Sequence, residues 1–482
     1  MWPMKDTTHT MWMCVTRACN CACDYCYQGS HSTLGLEKHM TRDIYERAIR
    51  FSRTWCSLPP IKQQDGTARD PASLRVAFYG GEPLLCWDEI ERVIPVWREE
   101  FERLKRPIKF GVTTNGSLLT DAVRAFFQKE NVGFLLSLDG PKRFHDEARP
   151  YRGGQGTWDS IPLREILEWR PDQEVAWVLR PESFDPTSGK LQITPEVLRE
   201  FLALGIRNVV LNLDWGTEWS PVARWNLHEF FKETGLLMVA RQRALEQAEA
   251  LIAERHLVGP EATAARAEAN RRGMGCNWWG KLLRAMTVAE KMVQPCGASS
   301  RQMIAVSPEG WLYPSQEMVY TSVLPDRAPG TDTYYRVGDL CADPIMDPEA
   351  MERTSRIKVS DMRPPSGLDC ERCVAKSACI GGCHCRGIGQ DGIDPANRFD
   401  VSRGHCQSKV AALSGLLVAA SISRWVRPVG WTGEEYQGSM NAGPQAKKAK
   451  PTDRLGQIED DLRGIRRKLD SLQIVQVEPV ID

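Results

Sequence analysis

The sequence carries no excess of either charge. Lys+Arg and Asp+Glu both number 62, so the formal net charge is zero. Without a global basic field the chain has no general attraction for nucleic acid. A long apolar run is also missing. The longest, residues 410–422, is too short to cross a bilayer and is interrupted by Ser414 and Gly415. We read a buried helix there, within a segment 411–436. Residues 1–13 carry no apolar h-region, so no secretory signal is expected. These absences speak against nucleic acid and membrane as partners and for a soluble, cytoplasmic protein.

What is present is cysteine, in two fields. Sixteen cysteines occur, clustered at 14–26 and 370–406 in a chain of 482 residues. That length allows roughly two to four domains and a sizeable core. A cytosolic protein keeps such thiols reduced and uses them for metals.

In the first field Cys19, Cys23 and Cys26 have the spacing C-x3-C-x2-C. Soft thiolates suit iron–sulfur clusters. Three of them on one loop can hold three irons of a cubic four-iron cluster, leaving the fourth iron for a substrate. A structural zinc knot is the alternative, with Cys21 as a fourth ligand.

The surrounding pattern alternates strand and helix. Residues 11–16 read as a short buried strand leading into the cysteine loop, and 40–56 as a helix. The polar segment 61–72 reads as a loop. Strand 74–78 runs into Tyr79-Gly80-Gly81-Glu82-Pro83, where two glycines let a backbone approach a ligand closely. Helix 88–105, strand 108–113 and the turn Thr114-Asn115-Gly116-Ser117 follow. Helix 120–130 then leads to strand 132–137, which ends in Ser137-Leu138-Asp139-Gly140-Pro141, with His145-Asp146 and Arg149 beyond. Weaker strands are read at 174–180 and 208–214, and helices at 158–169 and 195–204. Short loops between alternating elements imply parallel strands with chemistry at their carboxyl ends. Residues 222–272, rich in Ala, Arg, Glu and Leu, read as a helical bridge.

The second field contains Cys296, a hairpin-like pattern over 306–315, then Cys370-x2-Cys373-x5-Cys379-x3-Cys383, and Cys406. Residues 437–453 read as a flexible linker. Beyond it Leu455, Ile458, Leu462, Ile465, Leu469 and Leu472 form an a/d seam. Two readings of that seam stand: a zipper for a homodimer or partner, and an amphipathic helix folded back on the body.

Taken together, these motifs resemble the radical S-adenosylmethionine (radical SAM) enzymes that carry a C-terminal SPASM domain. They are most similar to the peptide- and protein-modifying type, which includes maturases of ribosomally made peptides and sulfatase maturases. The resemblance covers residues 10 to 410. It implies an α/β fold: a partial (β/α)6 TIM barrel over 10–215, a helical bridge over 216–290 and an auxiliary-cluster domain over 291–410. The segment 411–436 and a linker and helix over 437–482 follow.

The resemblance also implies roles. Cys19, Cys23 and Cys26 would hold a catalytic [4Fe-4S] cluster. Tyr25, Gly80, Gly81, Glu82, Asn115, Ser137, Asp139 and Arg149 would shape the pocket for SAM, with Glu82 offering negative charge to its amino group. Cys370, Cys373, Cys379 and Cys406 would hold a distal auxiliary cluster. Cys383 would join Cys296 in a proximal one. The family pattern wants a further cysteine separated from Gly310 by four residues, and here that place is Ser315. Cys276 or Cys341 would then complete the set, or the cluster would keep an open iron or not assemble.

The implied activity is hydrogen abstraction from a precursor peptide by a 5′-deoxyadenosyl radical, closing an oxidative cross-link (C–C, C–O or thioether). The implied partners are that peptide and an external electron donor such as flavodoxin or ferredoxin. A separate peptide-recognition protein is expected, because the cluster loop begins near residue 19 and leaves no room for such a domain before it. The alternative is a formylglycine-generating sulfatase maturase. Those relatives show Tyr-Pro-Cys-Asp, whereas this chain has Tyr313-Pro314-Ser315-Gln316, and Gln316 cannot act as a base. A zinc-stabilised binding protein is the remote third reading.

Overall fold

Strand β1 (Thr8–Thr16) sets the frame. Its residues alternate between two apolar environments. Met11, Met13 and Val15 enter the main core. Cys14 enters a second cluster with Tyr79, Ala305 and Tyr313, and Trp12 packs against it. A strand wanted on both faces belongs in the middle of a sheet, and β1 lies there.

The computed structural model describes residues 8–26, 38–56, 73–214, 217–282, 303–321, 335–356, 373, 379 and 403–422. After β1 come α1 (Arg42–Trp55), β2 (Ser73–Gly80), α2 (Trp87–Arg103), β3 (Ile108–Thr114), α3 (Asp121–Lys129), β4 (Gly133–Ser137) and α4 (Lys142–Ala148). Then follow α5 (Leu163–Trp169), β5 (Glu174–Leu179), α6 (Pro195–Ala203) and β6 (Asn208–Leu213). Each of β1 to β6 pairs in parallel with the next. The helices are amphipathic: α1 buries Ile44, Tyr45, Ala48, Ile49 and Phe51, and α2 buries Ile90, Val93, Ile94, Trp97 and Phe101. This is the α/β parallel sheet expected from the alternation.

The sheet continues past the six units. Long helix α7 (Pro221–Glu254) and α8 (Gly259–Asn270) fill most of the expected helical bridge, but that segment also supplies β7 (Gly275–Cys276), which pairs with β6. On the other side β8 (Met303–Val306) lies parallel to β1, with Thr10 opposite Met303 and Met13 opposite Val306. β9 (Trp311–Tyr313) folds back on β8, and β10 (Gly338–Asp339) on β9. The order is β10-β9-β8-β1-β2-β3-β4-β5-β6-β7. The C-terminal hairpin therefore extends the barrel sheet itself. Short helices α9 (Gln316–Thr321) and α10 (Pro348–Ser355) accompany it.

The apolar run at 410–422 lies in α11 (Arg403–Ile422), which packs along α7. Its two apparent interruptions are the contact itself. The Ser414 hydroxyl lies 2.7 Å from His228 Nδ1. A side chain at Gly415 would sit 2.2 Å from the His228 carbonyl oxygen. One expected helix differs: 158–169 is a single 3-10 turn, Trp158–Ser160, followed by α5, with Pro162 at the break. No helix among the described residues is long and apolar enough to cross a membrane. Cys296, Cys370, Cys383, the loop 61–72, the linker 437–453 and the a/d seam lie outside the described residues.

One ion pair ties the exit of β1 to the β8–β9 turn. The Arg17 guanidinium donates to both carboxylate oxygens of Glu309, at 2.5 and 2.8 Å, and Lys38 Nζ stands 3.5 Å away. Burial alone would push the Glu309 carboxyl up, but the guanidinium overrides it and holds the group at about 2. A carboxyl depressed in the folded state stabilises above its ordinary range and loses that contribution as pH falls towards the folded value. We expect stability to drop by roughly 3 kcal/mol between pH 5 and pH 2 through this pair. Urea midpoints across that range check it: E309Q should flatten the drop, and an identical pH profile in E309Q would remove the pair from the account.

Candidate active site

The carboxyl ends of β1 to β5 converge on the cysteine loop. Its entry passes so close to β2 that side chains are excluded. A Cβ on Gly80 would lie 2.2 Å from the Thr16 carbonyl oxygen, and one on Gly81 2.1 Å from that of Ala18. Gly80 also has φ +152°, which only glycine adopts readily. The close approach expected of this Gly-Gly pair is therefore to the protein's own backbone, sealed by Gly81 N–H to Thr16 O and Glu82 N–H to Ala18 O, both 2.9 Å.

Glu82 is fully buried. Its carboxyl accepts from Leu84 N–H at 3.0 Å, the Thr114 hydroxyl at 2.8 Å and Asn115 N–H at 2.8 Å. Burial pushes it up to about 7, and those three donors act the other way. The carboxyl thus joins β2 to the end of β3. Asn115 reaches onward: its side-chain amide donates to Asn20 Oδ1 at 2.8 Å and to Cys21 Sγ at 3.2 Å. Its oxygen accepts from the Ser117 hydroxyl at 2.7 Å, and Asn20 donates to that hydroxyl at 2.8 Å.

The other flank of the loop is held by charge. Asp139, buried after β4, accepts from the Tyr25 hydroxyl, from Arg149 Nε at 2.9 Å and from Val178 N–H at 2.9 Å. The Tyr25 ring has the guanidinium carbons of Arg149 and Arg180 at 5.4 and 5.5 Å from its centre. Arg180 in turn donates to both oxygens of Asp24 at 2.8 and 2.9 Å. Burial opposes the Arg149 charge, yet Asp139, Tyr25 and Cys23 keep its pKa above the ordinary value. The loop backbone is stitched to the segment after α4 by Ala22 N–H to Pro150 O at 2.8 Å. Ser137 ends β4 half-buried beside this set.

The thiols differ in environment. Cys21 is buried against Asn115, and its contact with Cys19 together with burial raises its pKa. That same contact brings Cys19 down to about 7. Burial pushes Cys23 up to about 12. Among the described residues no three His, Cys, Asp or Glu groups are placed to hold a single metal ion. Four supporting residues were missed in the sequence: Asn20, Asp24, Ser117 and Arg180. Arg180 had a signal, since it ends the fifth strand as the other motifs end theirs.

In the second field, Cys373 and Cys379 are half-buried against the core, and Cys379 Sγ lies 3.8 Å from His405 Nε2. Cys276 ends β7, its thiol pushed up to about 11 by burial. Ser315 is buried, and its hydroxyl accepts from Glu317 N–H at 3.4 Å at the start of α9. Cys341 is exposed beyond β10.

No family model matches the chain. It is 33% identical over 160 residues to the radical SAM cyclopropyl synthase of Paramaledivibacter caminithermalis, covering 32% of this chain and 31% of that one. It is 29% identical over 167 residues to the serine-type anaerobic sulfatase-maturating enzyme of Bacteroides thetaiotaomicron, covering 33% and 36%. The matches thus span about a third of these curated relatives. The solved structure of native anSMEcpe with bound AdoMet superposes with TM-score 0.57 at 16% identity, over 86% of this chain and 99% of that one. The likeness to the solved structure is one of fold, and the likeness in sequence to these two radical SAM relatives covers a third of the chain.

Asp139 is the flank's hub, so removing its charge leaves Arg149 buried and uncompensated. We expect D139N to lower stability by roughly 3–5 kcal/mol, read from urea denaturation. An unchanged midpoint would mean that Tyr25 and Cys23 suffice to hold Arg149.

Proposed function

We propose that this protein is a radical SAM maturase that oxidises a ribosomally made precursor peptide. The observation that carries the proposal is the cysteine loop: three thiols spaced C-x3-C-x2-C, braced at the carboxyl ends of five parallel strands. Thiolates at such spacing on one loop suit an iron–sulfur cluster. Cys19, Cys23 and Cys26 are the ligands in this reading. When bound, the cluster and SAM supply one-electron cleavage of the sulfonium and hence hydrogen-atom abstraction from the substrate.

The chain's own residues prepare that chemistry. Gly80 and Gly81 bring the β2 end against the loop, and Glu82 locks that end to Asn115. Asn115 and Ser117, through Asn20, steady the loop on one flank, while Asp139, Arg149 and Tyr25 steady it on the other. Ser137 and the backbone after Gly81 border the place left for SAM. Cys19, whose thiol is brought down to about 7, is ready to ligate near neutral pH. Cys370, Cys373, Cys379 and Cys406 hold an auxiliary cluster, and Cys296, Cys383 and Cys276 contribute to a second. An external flavodoxin or ferredoxin supplies the electron. The product is an oxidative cross-link.

A peptide substrate is supported by a neighbour of the same fold that was solved with bound AdoMet and the Cp18Cys peptide. A second reading, sulfatase maturation, is favoured by the serine-type relative named above. The site beside β9 weighs against it. Ser315 and Gln316 stand where those relatives have cysteine and aspartate, and the Ser315 hydroxyl lies 3.4 Å from the Gln316 carboxamide oxygen. A carboxamide takes no proton at neutral pH.

Two measurements test the proposal. C19A should abolish reductive cleavage of SAM in the anaerobically purified protein; cleavage at the parent rate would remove Cys19 from the ligand set. Intact mass of candidate precursor peptides co-expressed with the enzyme should fall by two hydrogens, and C19A should restore the parent mass. Oxidation of a serine to formylglycine removes the same two hydrogens, so hydrazide capture of the product separates the readings: a captured aldehyde would favour the second, and an uncaptured product the cross-link.

A further inference from the structure

We propose that Lys281 and Lys409 are positioning residues of the second thiol field, whose ammonium groups stabilise the added charge of a reduced auxiliary iron–sulfur cluster and so raise its reduction potential. This rests on the reading that the cysteines of that field ligate such a cluster.

The geometry starts from Trp278. It is 1% exposed and fixed by its indole N–H to the Leu211 carbonyl at 3.0 Å and by an edge contact with Phe231 at 4.9 Å. Two ammonium groups share this one ring. Lys281 Nζ lies 4.0 Å from its centre and Lys409 Nζ 5.3 Å. Each lysine comes from an element that also carries a thiol. Lys281 follows Cys276 by five residues. Lys409 follows Cys406 by three on α11, which puts both on one helix face. The thiols acting on Lys281 are those of Cys276 and Cys379, and those acting on Lys409 are those of Cys379 and Cys406. So Cys379 acts on both lysines, and Cys276 on Lys281 too.

Two buried cations side by side are unfavourable on their own. Like charges repel, and a single ring face compensates an ammonium only weakly. Lys409 is 4% exposed, so its charge does not reach water. The combination becomes favourable when a dense anion sits beside it. A thiolate-ligated iron–sulfur cluster is such an anion, and it gains one more negative charge on reduction. Net charge and contacts around the sulfurs set the potential of these clusters. The donor set fits: the partly buried thiols of Cys276, Cys373, Cys379 and Cys406, with His405 Nε2 3.8 Å from Cys379 Sγ.

The test uses the full chain, purified anaerobically, with Cys19, Cys23 and Cys26 all changed to Ala so that remaining iron reports on the second field. Iron per chain and an EPR-monitored redox titration are measured for this parent, for K281M and K409M, and for K281R and K409R. The expected result is parent-level iron in every variant. The methionine variants should have midpoints shifted to lower potential, with the reduced-to-oxidised ratio at the parent midpoint falling roughly tenfold. The arginine variants should stay near the parent. Unchanged midpoints at full iron content would overturn the proposal. So would loss of iron in the methionine variants that arginine does not restore, which would make the lysines purely structural. A parent without iron would instead overturn the iron–sulfur reading of the field, and the lysine proposal with it.

Discussion

The buried carboxyl of Glu82 is the constraint on which the site depends. It has no solvent to lean on, so its oxygens must be satisfied by the chain. They take hydrogen bonds from the residue two ahead and from the side chain and backbone at the end of the next strand. Because Gly81 and Glu82 also donate to the cysteine loop, one residue fixes three things at once: where β2 stops, where β3 stops and how the loop leaves β1. Two strands along, Asp139 repeats the device with charge, drawing Arg149, Tyr25 and the β5 backbone to one carboxylate.

Rigidity follows from these two acids. The loop that bears the three thiols is long and polar, and such a loop is ordinarily mobile. Here it is braced on both flanks by groups that are themselves buried. A metal cluster needs its ligands held before it arrives, and ligands are held by the contacts behind them. At Cys23 burial and the Asp139 carboxylate oppose the anionic form, while the Arg149 cation favours it.

The second half of the chain is joined to the first through the sheet. β8 lies along β1, so the strand that leads into the cysteine loop also carries the C-terminal hairpin on its other edge. Arg17, two residues before Cys19, grips the turn of that hairpin through Glu309. A displacement of the hairpin is thereby felt at the loop.

Much of the fold was legible in the sequence, because the β1 to β6 units are local. Their apolar periods are set by neighbours a few residues away, and each motif ends its own strand. The thiol spacing, the Gly-Gly-Glu-Pro turn and the position of Asp139 were readable for the same reason. What only the tertiary structure decided are the pairings between distant segments. Gly80 and Gly81 lie against the backbone of residues 16 and 18, a contact that no local pattern displays. Ser414 and Gly415 looked like breaks in an apolar run, and are the seat of α7. Arg180 facing Asp24, β8 beside β1, and two lysines on one indole involve residues more than a hundred apart. Their energy comes from burial and charge compensation, which depend on what the folded chain brings together. A sequence specifies such contacts without displaying them, since nothing in the local pattern says which buried charge will meet which.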